Sequence, residues 1–374
     1  MKLTLTEEQE MLKKAARDFL IDKCPKSFVK QMEESEAGYS RELWEQMAGL
    51  GWMGLAFPEK YGGGDMNFLD LAVLLEEMGR ACLPGPFFST VILGGLSILD
   101  LGSDEQKREY LPKISRGENI LALGLIEPGY CNCDASSVTV EAVRENGSYI
   151  ISGTKLFVAD AHTADYLLCV ARIKPQNGIT VFLVDAKNPM IECTVLKTIA
   201  GDKLCEVIFN QAPVSEASVL GQPNQGWDLV QKIVQRAAVG KCCETVGSIQ
   251  RVLEMTVDYA KERRQFDRPI GSFQSIQHYC ADMATDVDSA RFSTYQAAWM
   301  LSEGLPCTKE VAIAKAWIGE ASQRILALAH QIHGAIGATI EHDLHYYTRR
   351  AKAAELAFGD VSFYREIVAR EMGL

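Results

Sequence analysis

Five stretches of this chain carry residue types that could do chemistry. KERRQFDRPIGSFQSIQH, residues 261–278, sets two arginines before a Pro and Gly turn. Arg263 and Arg264 are fork-shaped donors suited to a phosphate, and Gln274 and Gln277 can meet a nucleotide's polar edges. The alternative is a plain connection between bundle helices, since basic residues favour a helix C-terminus. QIHGAIGATIEHD, residues 331–343, is a second candidate. Gly334 and Gly337 would let a backbone or ligand approach closely. The stretch follows a helix, not a strand, so it is no dinucleotide fingerprint; a helix C-cap and a turn is the alternative. His333 alone reads more readily as structural than as a ligand. GLIEPGYCNCD, residues 124–134, and GTKLFVADA, residues 153–161, close two predicted strands. Last comes AAELAFGDVSFYRE, residues 353–366, where Phe358, Gly359 and Asp360 separate two helical stretches. Asp360 reads as an N-cap, as a proton-transfer group, or as both.

Several chemistries are excluded. Cys131 and Cys133 are one residue apart and Cys242 and Cys243 are adjacent, neither being zinc spacing. There is no G-x-S-x-G elbow and no G-x-x-x-x-G-K-[ST] phosphate loop. The net charge of −11 argues against a nucleic-acid partner. The N-terminus lacks the apolar core of a signal peptide, and no run of about 18 apolar residues suggests a membrane span. Eleven scattered cysteines fit reduced thiols in a cytoplasm.

These stretches must be held by a chain of 374 residues, 47% apolar, which is long enough for two or three domains. Residues 1–115 read as an N-terminal α-helical domain. Thr6 with Gln9 makes a capping box, and FLDLAVLLEEMGRACL keeps the 3.6-residue period. Over residues 116–230 the period becomes two. SSVTVEAV, the turn RENGS, YIISGTKLFVA and four further runs predict an antiparallel β domain, sandwich or barrel. Residues 231–374 return to helix, with two runs long enough for a four-helix bundle. The fold class expected is α+β and multidomain, in the order helices, β domain, bundle.

In that order PEKYGGG, the EP of GLIEPG, GTKLFVADA, KERRQFDRPIGSFQSIQH and QIHGAIG resemble the acyl-CoA dehydrogenase family over nearly the whole chain. The resemblance implies noncovalent FAD and a tetramer or dimer in which one subunit's bundle completes its neighbour's FAD site. Arg263 matches the family arginine at the FAD pyrophosphate, with Phe266 and Gln274 as its neighbours. Gln331, Gly334, Ala335 and Gly337 match the contact to the adenine half. Leu125 and Ile126 match the strand end facing the flavin ring. Phe157 stands where an aromatic packs on the flavin, and Ala159 where a Thr is usual. The resemblance also implies the reaction: a carboxylate takes the α-proton of an acyl-CoA thioester while the β-hydrogen leaves as hydride. Electrons then pass to an electron-transferring flavoprotein.

The family's Glu-Gly-Thr base motif falls on Phe358, Gly359 and Asp360, so the usual base is missing. The position some relatives use instead falls near Ala237, also not an acid. Glu244 is the closest acid there, roughly 10 Å along a helix. The backbone of Phe358 and Gly359 is expected to meet the thioester, with Asp360 as the candidate proton-transfer group. Three readings follow. One is a dehydrogenase of a CoA thioester, cyclic or bulky, with an unusual base. The second is a base-lacking subunit of a heteromer. The third is a non-redox acyl-CoA lyase on the same fold.

Overall fold

A computed structural model describes residues 4–129 and 134–374. Cys131 and Cys133 lie outside the described residues. The N-terminal part is helical: α1 (Glu7–Lys23), α2 (Lys26–Glu34), α3 (Arg41–Gly49), α4 (Phe68–Ala81), α5 (Leu96–Leu101) and α6 (Asp104–Ser115). The middle part holds β1 (Leu121–Gly124), β2 (Glu141–Glu145), β3 (Ser148–Ala159), β4 (Tyr166–Lys174), β5 (Gly178–Asp185), β6 (Ile191–Val195), β7 (Leu204–Ser215) and β8 (Val219–Leu220). The C-terminal part is helical again: α7 (Trp227–Glu262), a small hairpin of β9 (Arg264–Gln265) and β10 (Arg268–Pro269), α8 (Gln274–Ser302), α9 (Thr308–His333), α10 (Leu344–Leu356) and α11 (Val361–Glu371). The expected order of helices, β domain and helices holds.

Local chemistry sets these boundaries. Thr6 and Gln9 form the capping box of α1, each side chain bonding the other residue's backbone N–H. Ser103 and Gln106 do the same for α6. The β2–β3 hairpin turns at Asn146 and Gly147, with φ of 48° and 78°, the pair of positive angles that matches strand twist.

By their contacts the residues form two compact units. The first comprises residues 1–30, 68–83 and 238–374. Here α1 packs on α4, and α4 packs on α8. Two glycines let α4 and α7 touch backbone to backbone. A Cβ on Gly79 would lie 1.9 Å from the Glu244 carbonyl oxygen, and one on Gly247 would lie 1.7 Å from that of Glu76. The α1 side chains reach acids on α4: Lys13 bonds Glu76 at 2.9 Å, and Arg17 holds Glu77 through two nitrogens at 2.7 and 2.9 Å. Glu76 and Glu77 are both buried, and the paired cations offset the cost of that burial.

The second unit comprises residues 31–67 and 84–237, built on one eight-stranded sheet. Its order is β6-β7-β3-β2-β4-β5-β8, with β1 paired to β4. Most pairs are antiparallel, but β1–β4 and β2–β4 are parallel. Leu167 to Ala171 in β4 and Ile179 to Val184 in β5 are unbroken runs of buried residues, so these strands are covered on both faces.

Candidate active site

The site residues fall into one set in the sheet unit and two in the helical unit. In the sheet unit the centre is a buried ion pair. Lys155 of β3 and Glu127, just past β1, meet at 2.5 Å with their side chains almost wholly inaccessible. Burial alone would push the Glu127 carboxyl up. The Lys155 ammonium and donors from Thr139 overcome that and hold it below the usual carboxylate range. Glu127 also accepts from the backbone N–H groups of Thr139 at 2.8 Å and Val140 at 3.0 Å. The Lys155 amine donates a further bond to the Leu125 carbonyl at 3.3 Å, and the Leu156 N–H reaches Ile126 at 2.8 Å. One ion pair thus ties the end of β1 to the middle of β3. Neither residue is assigned a role by its motif; a Glu and a Lys inside otherwise apolar strand ends are the signal the sequence offers.

This arrangement positions Leu125, Ile126, Phe157 and Ala159. Leu125 is buried and Ile126 partly so. Phe157 is 56% exposed and has φ of 54°, a conformation few aromatic residues adopt. It lies in the irregular segment between Lys155 and Val158 where the β3–β7 register shifts. The bulge turns an apolar ring outward, and strain and exposure of this kind collect where a ligand sits. Ala159 follows as the last residue of the strand.

In the helical unit the first set surrounds the end of α7. Arg263 and Gln274 are exposed, and Phe266 is 86% exposed with φ of 51°. The hairpin pairs Arg268 with Gln265 and Pro269 with Arg264, and Arg264 donates to the Asp267 carbonyl. The Arg268 guanidinium lies 4.1 Å from the Phe273 ring centroid. Arg263 has no ion-pair partner among the described residues, whereas Arg264 and Arg268 are occupied by the hairpin. Gln331, Gly334 and Ala335 are exposed and Gly337 is buried. Gly334 has φ of 65°, and a Cβ there would meet nothing within 4 Å. His333 is buried, stacks on Tyr259 and His342, and has neither ring nitrogen bonded among the described residues. Burial and the neighbouring His342 push it down to about 4.

The second set is the turn between α10 and α11. Phe358 has φ of 59° and Gly359 φ of 106°. Tyr364 donates its hydroxyl to the Phe358 carbonyl at 2.8 Å. The buried Lys315 amine of α9 donates to the carbonyls of Ala354 at 2.9 Å, Glu355 at 2.8 Å and Gly359 at 3.1 Å. It caps the open end of α10 and holds the turn in one act. Burial lowers its pKa from the usual lysine range. Lys315 and Tyr364 were missed in the sequence, because their role appears only once α9 and α11 pack on the turn. The Asp360 carboxylate is exposed and accepts from the Phe363 N–H at 2.8 Å, so it caps α11 as expected. At the alternative base position, Ala237 is fully buried. Glu244 is paired with Lys241 at 2.7 Å on the same helix.

Comparison with known proteins covers all three parts of the chain. Residues 6–118 match the N-terminal domain of acyl-CoA dehydrogenase, 122–212 its middle domain and 224–373 its C-terminal domain. The chain belongs to the acyl-CoA dehydrogenase family. It is a flavoenzyme of that family, an oxidoreductase acting on CH–CH groups, and FAD is the cofactor. Among curated relatives it is 31% identical to an acryloyl-CoA reductase (NADH) of Anaerotignum propionicum, covering 100% of this chain and 96% of that one. It is also 31% identical to an acyl-CoA dehydrogenase of Bacillus subtilis, over 98% of each. Among solved structures it resembles the ChsE4-ChsE5 complex of Mycobacterium tuberculosis, with a TM-score of 0.92, 28% identity and coverage of 100% and 99%. No helix among the described residues is long and apolar enough to cross a membrane. No group of three or more His, Cys, Asp or Glu among them could hold a metal.

The residues present fit FAD. In the sheet unit an exposed aromatic on a strained bulge suits a flat ring; in the helical unit an exposed arginine with no ion-pair partner among the described residues suits a phosphate, and open Gly334 lets a ligand approach closely.

Proposed function

We propose that this chain dehydrogenates a CoA thioester, α,β or vinylogous, with the thioester seated on the Phe358–Gly359 turn. The turn carries the reading. A left-handed aromatic costs on the order of 1–3 kcal/mol, and such strain persists where function needs the shape. Here Lys315 and Tyr364 grip backbone carbonyls. The backbone shape is therefore kept although the side chain has lost its acid. Phe358 in place of a carboxylate reshapes the cavity wall, which favours a cyclic or bulky acyl group. Phe157, Ala159, Leu125 and Ile126 would face the flavin ring. Arg263, Phe266 and Gln274 would hold the pyrophosphate half, and Gln331, Gly334, Ala335 and Gly337 the adenine half, in a homotetramer or dimer. FAD, when bound, supplies the hydride acceptor, and an electron-transferring flavoprotein takes the electrons. The unpaired state of the nine described cysteines supports placing it in the cytoplasm.

In this reading Asp360 moves the α-proton. A second reading has a specific observation in its favour. Asp360 is exposed and engaged as a cap, Ala237 is buried and Glu244 is ion-paired. A subunit without a base, joined to a related chain that has one, fits these facts, and the similar ChsE4-ChsE5 structure is a complex of two chains.

The test is an anaerobic titration of the purified chain with straight, branched and cyclic acyl-CoA thioesters, followed by flavin absorption. Bleaching establishes dehydrogenation by this chain alone. Asp360→Asn is the matched variant, because Asn also caps helices well. Loss of bleaching by about 10²-fold or more assigns the proton transfer to Asp360. An unchanged rate removes it. Wild-type flavin that never bleaches supports the heteromer, and product formed without bleaching supports the lyase.

A further inference from the structure

A cluster outside the proposed site joins two thiols and an imidazole in the sheet unit. Cys205 is the second residue of β7 and fully buried; Cys193 lies on β6 and is exposed. The ladder pairs Val195 with Cys205 and Cys193 with Val207. Residues paired across a ladder share a face, and so do residues two apart on a strand. Cys193 and Cys205 are therefore diagonal neighbours on one face. On its other side the Cys205 sulfur lies 3.8 Å from His162 Nδ1. His162 Nε2 is 3.0 Å from the Ala37 carbonyl, which can only accept. That bond puts the ring proton on Nε2 and leaves Nδ1 as the acceptor facing sulfur. The Cys193 S–H and His162 both favour a thiolate at Cys205 and bring its pKa down; Asp160 and Cys205 raise that of His162.

We propose that Cys193, Cys205 and His162 form a thiol modification site, at which a peroxide oxidises the two cysteines to a disulfide. The pair begins with Cys193 as the thiol, Cys205 as the thiolate and the Cys205 proton on His162 Nδ1. Transfer of the Cys193 proton to Cys205 puts the thiolate on exposed Cys193. That sulfur attacks one oxygen of hydrogen peroxide, the O–O bond breaks, and hydroxide leaves as water with the His162 proton. Cys193 is now a sulfenic acid. Cys205 gives its proton back to His162 and attacks the Cys193 sulfur. The S–O bond breaks, and hydroxide takes that proton as the second water. Two thiols and one peroxide become one disulfide and two waters.

The fold permits this and limits it. Diagonal partners sit ~7–8 Å apart at Cα, beyond the ~6.8 Å that a disulfide usually spans, so closure must draw β6 inward. As the sheet's edge, β6 can move at the cost of its single ladder to β7. A bridge strained in this way is readily reduced. Cys205 also pairs with Val158, between Phe157 and Ala159, so closure loads the strand end proposed to face the flavin.

The experiment uses the reduced holoprotein and a small excess of hydrogen peroxide, followed by peptide mass mapping without reductant. The expected result is one Cys193–Cys205 cross-link, a loss of two titratable thiols, and recovery of both with dithiothreitol. Cys193→Ser should abolish the cross-link and leave Cys205 reduced. His162→Gln should slow cross-linking at least tenfold while Cys193 stays titratable. Cross-linking as fast in His162→Gln overturns the role of His162. Oxidation of Cys193 to sulfinic or sulfonic acid with no link to Cys205 overturns the pair, as does a peroxide-inert Cys193 in the wild-type protein. None of these outcomes depends on which thioester the chain accepts.

Discussion

At Phe358 the peptide backbone holds a shape that the side chain does not need. Its carbonyl and that of Gly359 are gripped by Tyr364 and Lys315, and the motif spacing puts the aromatic ring where the family resemblance leads one to expect an acid. The expectation of a glutamate at this position comes from residue type and motif spacing, which the sequence carries. The sequence did not disclose the grip, since Lys315 lies 43 positions before Phe358 on another helix (358 − 315). Phe358→Glu should therefore keep the turn and add a carboxylate beside the proposed thioester seat. We expect flavin bleaching to accelerate by about 10²-fold or more, measured by stopped flow at saturating thioester. His333 yields a prediction about pH. Its folded pKa is about 4, below the 6.5 of the free side chain, so the unfolded state binds its proton first. Its contribution is fully present above pH 6.5 and fades as pH falls toward 4. The loss comes to about 3 kcal/mol by the linkage relation. Urea midpoints measured from pH 7 to pH 4 should fall, and His333→Phe should flatten part of that fall.

At the scale of elements, capping and periodicity were readable and tertiary pairing was not. Thr6 and Gln9 marked the start of α1, and Asn146–Gly147 marked a hairpin, because both signals act within four residues. SSVTVEAV alternates like a strand, yet Ala135–Ser137 forms a 3₁₀ turn and β2 begins only at Glu141. The Glu127 carboxylate explains the difference, for it takes the N–H groups of Thr139 and Val140 that a strand would have paired. The parallel pairing of β1 and β2 with β4 likewise has no local signature. The approach of α4 and α7 depends on two glycines that sequence patterning passes over. Gly247→Ala would put a methyl carbon 1.7 Å from the Glu76 carbonyl oxygen, so the helices must separate. We expect destabilisation of at least about 3 kcal/mol, the upper end for overpacking, read as a lower urea midpoint with an unchanged slope.

At the scale of the whole molecule, the order helices, sheet, helices was legible because the hydrophobic period changes from 3.6 to two and back. The family resemblance then supplied the cofactor. The grouping of α4 with helices some 150 residues downstream was not legible, because no periodicity reports which face meets which. The proposed FAD contacts predict that Arg263→Ala weakens flavin affinity by roughly tenfold or more, as one charge-assisted phosphate contact would. Flavin released on dilution, followed by fluorescence, checks it; equal retention would remove Arg263 from the cofactor. One consequence of the gripped turn reaches beyond this protein's own chemistry. Lys315 and Tyr364 recognise carbonyl oxygens, which every residue has, so position 358 can change its side chain without reshaping the scaffold. A chain with this turn can thus exchange an acid for another side chain there and keep the backbone's form. Division of labour between sister chains then needs no new fold, only a silenced seat that keeps its form.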